Sequence, residues 1–180
     1  MKNAVGREIP DALLTDGKEV YRGKYHKDGQ YFRKAGPRVR RAERPQASKV
    51  VASIREACEK CGARDGMTVS FHHSFRNGDY VTSMVMKVLV EEMGLKDLTV
   101  ATTSLGSAQD LLADYIEQGK IIGVQSSGVR GRIGEVISAG KLKTPAVIRS
   151  HGGRPRAIET GELTIDISFI AASAADDYGN

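Results

Sequence analysis

The sequence predicts an α/β fold: a doubly wound, mostly parallel sheet with an extended N-terminal arm. Three observations support this prediction. Compact apolar runs alternate with segments whose apolar residues recur at helical spacing. Several runs are continuously apolar, which is typical of strands that helices bury on both faces. Three runs are followed at once by a polar loop with glycine and arginine, at residues 70–80, 126–135 and 150–154.

Length and composition favour one ordinary domain. The chain has 180 residues, of which 40% are hydrophobic and 27% charged, which suits a packed core and suggests neither disorder nor a membrane class. No apolar run approaches the ~20 residues of a membrane-spanning helix, and the N-terminus has no apolar signal core. We therefore expect a cytoplasmic protein with no membrane partner.

The excess positive charge lies in residues 1–45, which hold twelve Lys or Arg against six Asp or Glu. Scattered glycines and aromatics there show no lasting periodicity, so residues 1–46 are predicted to be a basic extended arm, with a hairpin near Gly29. Residues 47–180 are predicted to be the α/β domain. The arginine run at 38–44 suits phosphate contacts. Without a nucleic-acid-binding module, however, a solvated arm or a subunit contact is the better interpretation.

A helix of about four turns is predicted after Ser48, which is available as its cap, with Gly62 ending it. Its Cys58 and Cys61 form a C-x-x-C, but no second cysteine pair exists, so we interpret both as apolar residues of a helix face. Strands and helices then alternate. Strands are predicted at 67–71, 98–101, 121–124, 146–149 and 165–170, and helices at 80–93, 108–118, 133–139 and, as a short turn or helix, 154–160.

The carboxyl ends of parallel strands open on one edge of a sheet, so the loops that follow four of these strands are expected to converge there. Guanidinium groups and glycine amides suit carboxylates, phosphates or a developing oxyanion. The candidate residues, taken in chain order, are His72, His73, Arg76, Asn77, Ser127, Gly128, Arg130, His151, Gly152, Gly153 and Arg154.

Other kinds of site are disfavoured. Adjacent histidines on extended chain point to opposite sides and no H-x-x-x-H occurs, so no metal is expected. One of His72 and His73 is interpreted as a packed histidine at a strand end, Asp79 as a helix cap, and Arg130 with Arg132 equally well as a solvated helix face. The glycines from Gly128 to Gly134 do not match a dinucleotide fingerprint, and neither a P-loop nor G-x-S-x-G is present.

Four long motifs carry a family resemblance: SFHHSFRNGD at 70–79, SSGVRGRIGEVISAG at 126–140, IRSHGGR at 148–154 and ETGELTIDISFIAA at 159–172. They closely resemble the alpha subunit of citrate lyase, the citrate CoA-transferase of that complex. More distantly, the chain resembles the first, Rossmann-like half of the CoA-transferase superfamily.

The resemblance implies transfer of an acyl group from acetyl-carrier protein to citrate, which forms citryl-carrier protein and acetate through a mixed anhydride. It implies acetyl-CoA, or the CoA-derived group of the acyl carrier, as thioester substrate, and an oligomeric complex with the beta and gamma subunits of citrate lyase. Substrate-binding roles are expected for the histidines and arginines above, with Asn77 and Ser127. Oxyanion stabilisation is expected from the amides of Gly128, Gly152 and Gly153.

Members of the family hold about two such domains, so this chain is expected to be a first half that acts with a C-terminal half. Two alternatives stay open. One is a non-catalytic module that docks a partner of an acyl-transfer complex through the basic arm, and another is a subunit of a 3-oxoacid-type CoA-transferase. A sugar-phosphate isomerase is disfavoured, because Asp79 is the only carboxylate among the polar loops.

Overall fold

The computed structural model describes residues 1–15, 17–20, 48–72 and 80–179. The chain divides into two compact units, Met1–Arg33 and Lys34–Asn180. In the first, Lys2 and Glu8 form an isolated antiparallel bridge, and one 3₁₀ turn spans Asp11–Leu13. The predicted hairpin and the arginine run of the arm lie outside the described residues, and the predicted domain boundary stays a prediction.

The second unit is built on a five-stranded sheet in which every described pair of neighbouring strands is parallel. The strands are β1 (Thr68–His72), β2 (Leu98–Thr102), β3 (Ile121–Ser126), β4 (Val147–Ile148) and β5 (Ile167–Ile170). Their order across the sheet is β4-β3-β2-β1-β5. The predicted α/β fold is confirmed, and each predicted strand overlaps an observed one.

In the described part of the chain, five α-helices accompany the sheet: α1 (Ile54–Lys60), α2 (Val81–Lys87), α3 (Leu111–Glu117), α4 (Gly131–Ser138) and α5 (Gly153–Thr160). A π-helical segment, Val88–Glu92, continues α2, and a 3₁₀ turn, Ser107–Gln109, precedes α3. Gly94, Gly119 and Gly140 directly follow the helices predicted at 80–93, 108–118 and 133–139, and all three have positive φ. Within the described residues, no helix is long and apolar enough to cross a membrane.

The order of the strands explains how the helices are distributed. From β1 to β4 the chain steps across the sheet in one direction, and right-handed connections place α2, α3 and α4 on the same face. The return from β4 to β5 runs the opposite way, which places α5 on the other face. The two faces of the sheet are therefore covered unequally.

The apolar face is the one that carries Val69, Phe71, Val100 and Val124. Side chains from α1 to α4 pack on it in one continuous core. Phe71 is 1% exposed and stacks on Phe169 of the neighbouring strand β5, with ring centroids 5.8 Å apart. Alternate residues of these strands therefore supply the main core, while the residues between them point to the other face of the sheet.

The polar face carries the alternating residues Ser70, Ala101 and Gln125, which lie side by side across β1, β2 and β3. Helix α5 covers its centre, where Ala157 and Leu163 pack against Ala101 in a small separate cluster. Toward the edges the face is open: Ile170 of β5 is 69% exposed and Val147 of β4 is 37% exposed.

The first helix differs from its prediction. It spans seven residues, about two turns, and begins at Ile54 rather than just after Ser48. The Ser53 hydroxyl accepts a hydrogen bond from the Glu56 amide at 3.1 Å, and the Glu56 carboxylate accepts one from the Ala52 amide at 2.9 Å. The Ser53 hydroxyl thus caps the first turn and Glu56 holds the residue before it, and together they start the helix at that point. The Ser48 hydroxyl accepts a hydrogen bond from the nearby Val50 amide instead.

Candidate functional site

A cleft of about 400 Å³ lies at the carboxyl edge of the sheet. Its walls are the loop and 3₁₀ turn after β2, the loop after β3, and one residue of the loop after β4. The lining residues are Thr103, Ser104, Leu105, Gly106, Ala108, Gln109, Ser127, Gly128, Arg130 and His151. The structure thus brings together Ser127, Gly128, Arg130 and His151 of the residues predicted from the sequence.

Backbone hydrogen bonds tie the two main walls together. The Leu105 amide donates to the Gly128 carbonyl at 2.9 Å, and the Arg130 amide donates to the Leu105 carbonyl at 3.1 Å. Leu105 and Val129 form a parallel bridge, and the Ser127 amide donates to the Thr103 carbonyl at 3.1 Å. The walls thus continue the β2–β3 ladder beyond the strands, and this holds Ser127 and Arg130 in place.

Three side chains of the cleft have donors that no described residue uses. The Ser127 hydroxyl is buried and has no hydrogen-bond partner in the described part of the chain. Arg130 and His151 are exposed at the rim, and we find no ion pair for either within the described ranges. A buried hydroxyl without a partner is costly, so this arrangement suits a polar, anionic ligand that accepts hydrogen bonds.

Arg130 stands directly before α4, and Gly131 begins that helix with a φ of +64°. A side chain at Gly131 would be strained at this φ, and its Cβ would lie 3.3 Å from an Asp110 carboxylate oxygen. Glycine therefore allows the chain to turn sharply from the cleft wall into α4. The partial positive charge of the helix N-terminus adds to that of the Arg130 guanidinium beside it.

Two of the three glycine amides predicted to be oxyanion donors donate hydrogen bonds to neighbouring serine hydroxyls. The Gly128 amide donates to the Ser126 hydroxyl at 3.3 Å, and the Gly153 amide donates to the Ser150 hydroxyl at 3.0 Å. Gly152 and Gly153 do not line the cleft. An oxyanion role for Gly128, Gly152 and Gly153 stays a prediction.

Arg154 and His72 lie away from the cleft lining. The Arg154 Nη2 atom donates to the Ser70 hydroxyl at 2.8 Å and to the Ala101 carbonyl at 3.4 Å, which places this guanidinium over the polar face. Burial, with the positive charge of Arg149, lowers the pKa of Arg154. His72 is exposed at the end of β1 and, by strand alternation, belongs to the same face as Ser70. Their substrate-binding roles stay predictions.

His73, Arg76 and Asn77, and the proposed helix cap Asp79, lie outside the described residues. Arg132 is near the cleft in sequence but ion-paired on the outside of the helix layer, with Asp114 at 2.6 Å and Glu117 at 2.8 Å. It is therefore a surface residue that links α4 to α3. This agrees with its interpretation as part of a solvated helix face.

Sequence reasoning missed one residue that lines the cleft, Gln109, and the residue that follows it. Gln109 is 5% exposed, lines the cleft, and accepts a hydrogen bond from the Gly106 amide at 3.0 Å, which fixes the turn that forms one wall. Asp110 follows it, with a buried carboxylate oxygen that has no partner among the described residues. Neither stands in a glycine-rich motif, and a Gln-Asp pair before an apolar helix resembles an ordinary exposed helix start.

Only Cys58 fits the interpretation of the two cysteines as apolar residues of a helix face, because Cys61 follows the last residue of α1. Cys58 is fully buried in the core on the apolar side, where burial raises the pKa of its thiol, and Cys61 is exposed; neither forms a disulfide. In the described portions of the chain, no three His, Cys, Asp or Glu residues cluster as metal ligands would.

Comparison with known proteins identifies the family. Residues 47–180 match the family model "Citrate lyase, alpha subunit (CitF)". The chain is 42% identical over 149 residues to the citrate lyase alpha chain of Escherichia coli (83% of this chain, 29% of the relative). It is 40% identical over 157 residues to that of Haemophilus influenzae (87% and 31%), and 46% identical over 132 residues to that of Klebsiella pneumoniae (73% and 26%).

A solved structure agrees with these matches. It is a crystal structure, in complex with citrate, of a Streptococcus mutans protein assigned as the alpha subunit of citrate lyase. The TM-score is 0.73 and the identity 38%, over 99% of this chain and 34% of that one. The present chain spans less than a third of the length of the curated relatives that it matches. The resemblance inferred from the motifs is confirmed, and the chain belongs to the citrate lyase alpha subunit family.

Proposed function

We propose that this chain is the citrate-binding part of a citrate CoA-transferase, and that citrate binds in the cleft at the carboxyl edge of the sheet. The observation that carries the proposal is the convergence of Ser127, Arg130 and His151, from two separate loops, on one cleft with their donors unused. Membership of the citrate lyase alpha subunit family and the citrate complex of the Streptococcus mutans relative support it.

The side chains suit a tricarboxylate. The planar guanidinium of Arg130 can hold one carboxylate with two hydrogen bonds. The Ser127 hydroxyl can donate to a second carboxylate or to the citrate hydroxyl, and His151 can donate at the open rim. Leu105 and Ala108 supply a small apolar wall for the methylene groups of citrate.

The reaction that we propose is an acyl exchange. A citrate carboxylate oxygen attacks the carbonyl carbon of an acetyl thioester, the C–S bond breaks, and a thiolate leaves. The thiolate then attacks the citryl carbonyl carbon of the mixed anhydride, the bond from that carbon to the bridging oxygen breaks, and acetate leaves with the bridging oxygen. Such chemistry needs carboxylate positioning and stabilisation of two oxyanions rather than a nucleophilic side chain.

The thioester partner that we propose is acetyl-CoA or the CoA-derived group of an acyl carrier protein. The beta and gamma subunits of citrate lyase and a C-terminal half of the alpha subunit are the proposed protein partners, in the cytoplasm. This chain corresponds to less than a third of the length of its curated relatives. The acyl exchange should therefore be measured with this chain alone and again after the remaining part of a relative has been added.

Binding is tested by calorimetric titration of citrate into the folded chain and into two variants. Arg130→Gln is expected to weaken citrate binding about tenfold or more, because a charge-assisted hydrogen-bond pair is lost. Arg132→Gln, the matched control two residues away, removes an equal charge that Asp114 and Glu117 already neutralise, and should leave citrate affinity unchanged. Equal citrate affinity in the wild type and the Arg130 variant would show that citrate does not bind in this cleft.

The acyl exchange is tested by release of acetate from acetyl-CoA on addition of citrate. A 3-oxoacid-type transferase would instead release acetate with succinate or a 3-oxoacid. Acetate release with these acids but not with citrate would show that citrate is not the acyl acceptor and would favour the 3-oxoacid-type transferase.

A further inference from the structure

We propose that Arg149 and Arg154 form a second anion site, separate from the cleft, which binds an organic carboxylate on the polar face of the sheet. The proposal does not depend on the function proposed above, because none of its residues lines the cleft. Arg149 follows β4, and Arg154 lies in the first turn of α5.

The two guanidinium groups lie over one row of the sheet. Arg154 bonds to Ser70 and Ala101, and Arg149 donates from Nη1 to the Gln125 side-chain oxygen. Ser70, Ala101 and Gln125 are register neighbours in β1, β2 and β3. Because these residues are small or polar, they leave room above the sheet for two large cations side by side.

Neither cation has a counter-charge in the part of the chain that the structure describes. Three more exposed arginines do have carboxylate partners: Arg132 contacts Asp114 and Glu117, Arg55 contacts Glu59, and Arg156 contacts Glu162 at 3.0 Å. No such ion pair occurs for Arg149 or Arg154 within the described ranges. A partly buried cation is normally paired, and here burial and the neighbouring guanidinium both lower the pKa of Arg154.

The available space indicates the class of ligand. A gap of about 10 Å³, the size of one water molecule, lies between Gln125, Ser126, Arg149, Arg154 and Leu163. Gln125 also lines an open groove of about 350 Å³ on the same face, whose other lining residues are Thr99, Gly123, Val124, Thr144, Pro145 and Val147. The gap has the size of one carboxylate oxygen, and the groove, which shares Gln125 with the gap, has the size of the rest of a small molecule.

Hydrogen-bonding capacity agrees with this class. Each guanidinium carries five N–H donors, and the contacts above engage only Nη2 of Arg154 and Nη1 of Arg149. The remaining donors can form the forked pair that a carboxylate accepts. The groove beside them presents threonine hydroxyls and short apolar side chains, so the body of the ligand is expected to be short and polar rather than an extended hydrocarbon.

The experiment observes the arginine side-chain Nε–Hε resonances by NMR during titration with citrate, and separately with inorganic phosphate. We expect citrate to shift the Arg149 and Arg154 resonances along one saturable curve. Arg149→Gln should raise the citrate concentration at which the Arg154 shift is half saturated by about tenfold or more. Arg156→Gln, on the same helix but exposed and paired with Glu162, is the matched control and should leave it unchanged.

Three results would overturn the proposal: no shift at Arg149 and Arg154 with citrate at millimolar concentration, an equal shift at Arg156, or saturation with phosphate at the same concentration as with citrate. Arg149→Gln removes one surface-side hydrogen bond and should fold; circular dichroism verifies this. Arg130→Gln separates the two proposals, because it is expected to abolish shifts at the cleft while those at Arg149 and Arg154 persist.

Discussion

The two faces of the sheet are built from the same strands but differ in almost every physical respect. The apolar face carries Val69, Phe71 and Val100 under four helices and forms one large core. The polar face carries Ser70, Ala101 and Gln125 under the single short helix α5. Consecutive residues of a strand point to opposite faces, so one five-residue strand such as β1 serves both purposes.

The difference between the two faces indicates which residues mainly stabilise the fold and which are available for binding. The connections from β1 to β4 all run in one direction across the sheet and place a thick layer of helices on one face. The single return connection to β5 leaves the other face thinly covered. Charged and hydroxyl side chains are tolerated there, because water or a ligand can satisfy them. The polar face and the carboxyl edge are therefore the places where changes of residue should affect binding more than folding.

Phe71→Ala tests the apolar face and should have the largest effect. It removes a ring that is 1% exposed and stacked on Phe169, and we expect the free energy of unfolding to fall by about 3–5 kcal/mol. Denaturant unfolding followed by circular dichroism measures the change. A loss below about 1 kcal/mol would mean that the core on this face is not close-packed.

Gly123→Ala tests how closely the polar face is packed and should have an intermediate effect. A Cβ there would lie 2.9 Å from the Thr99 hydroxyl and 3.0 Å from the Thr144 hydroxyl. We expect a cost of about 1–3 kcal/mol in unfolding free energy from this overpacking. The double variant with Thr99→Ala should recover part of the loss; a double variant no more stable than Gly123→Ala alone would place the strain elsewhere.

Ile170→Ser tests the exposed edge of the polar face and should have the smallest effect. The side chain is 69% exposed, so replacing it should change the unfolding free energy by no more than about 0.5 kcal/mol. The same denaturant experiment applies. A loss above about 1 kcal/mol would show that another part of the protein covers this face in solution.

Much of this architecture follows from local patterns. The compact apolar runs predicted where the strands lie, and a glycine with positive φ follows both α3 and α4 where the predicted helices end, because those signals depend on the residues themselves. The start of α1 was missed since two serines were available, and only the Glu56 carboxylate that completes the cap around Ser53 distinguishes them.

The site was harder to predict, because its geometry depends on which strand face a residue occupies. Ser127, Arg130 and His151 were identified as candidates and do line one cleft. Arg154, from the same kind of loop, turns instead over the polar face toward Ser70, 84 residues away in sequence. Spacing along the chain carries no information about such a long-range contact, nor about the buried position of Gln109.

The hydrogen bonds between Leu105, Gly128 and Arg130 have a consequence for ligand association. They join the two walls of the cleft in the free protein, so the conformational entropy of ordering these loops is already lost when the chain folds. A ligand that enters meets a preorganised surface and need not wait for loop closure. Association should therefore proceed at a rate limited by encounter, and differences in affinity between ligands should appear mainly in their dissociation rates.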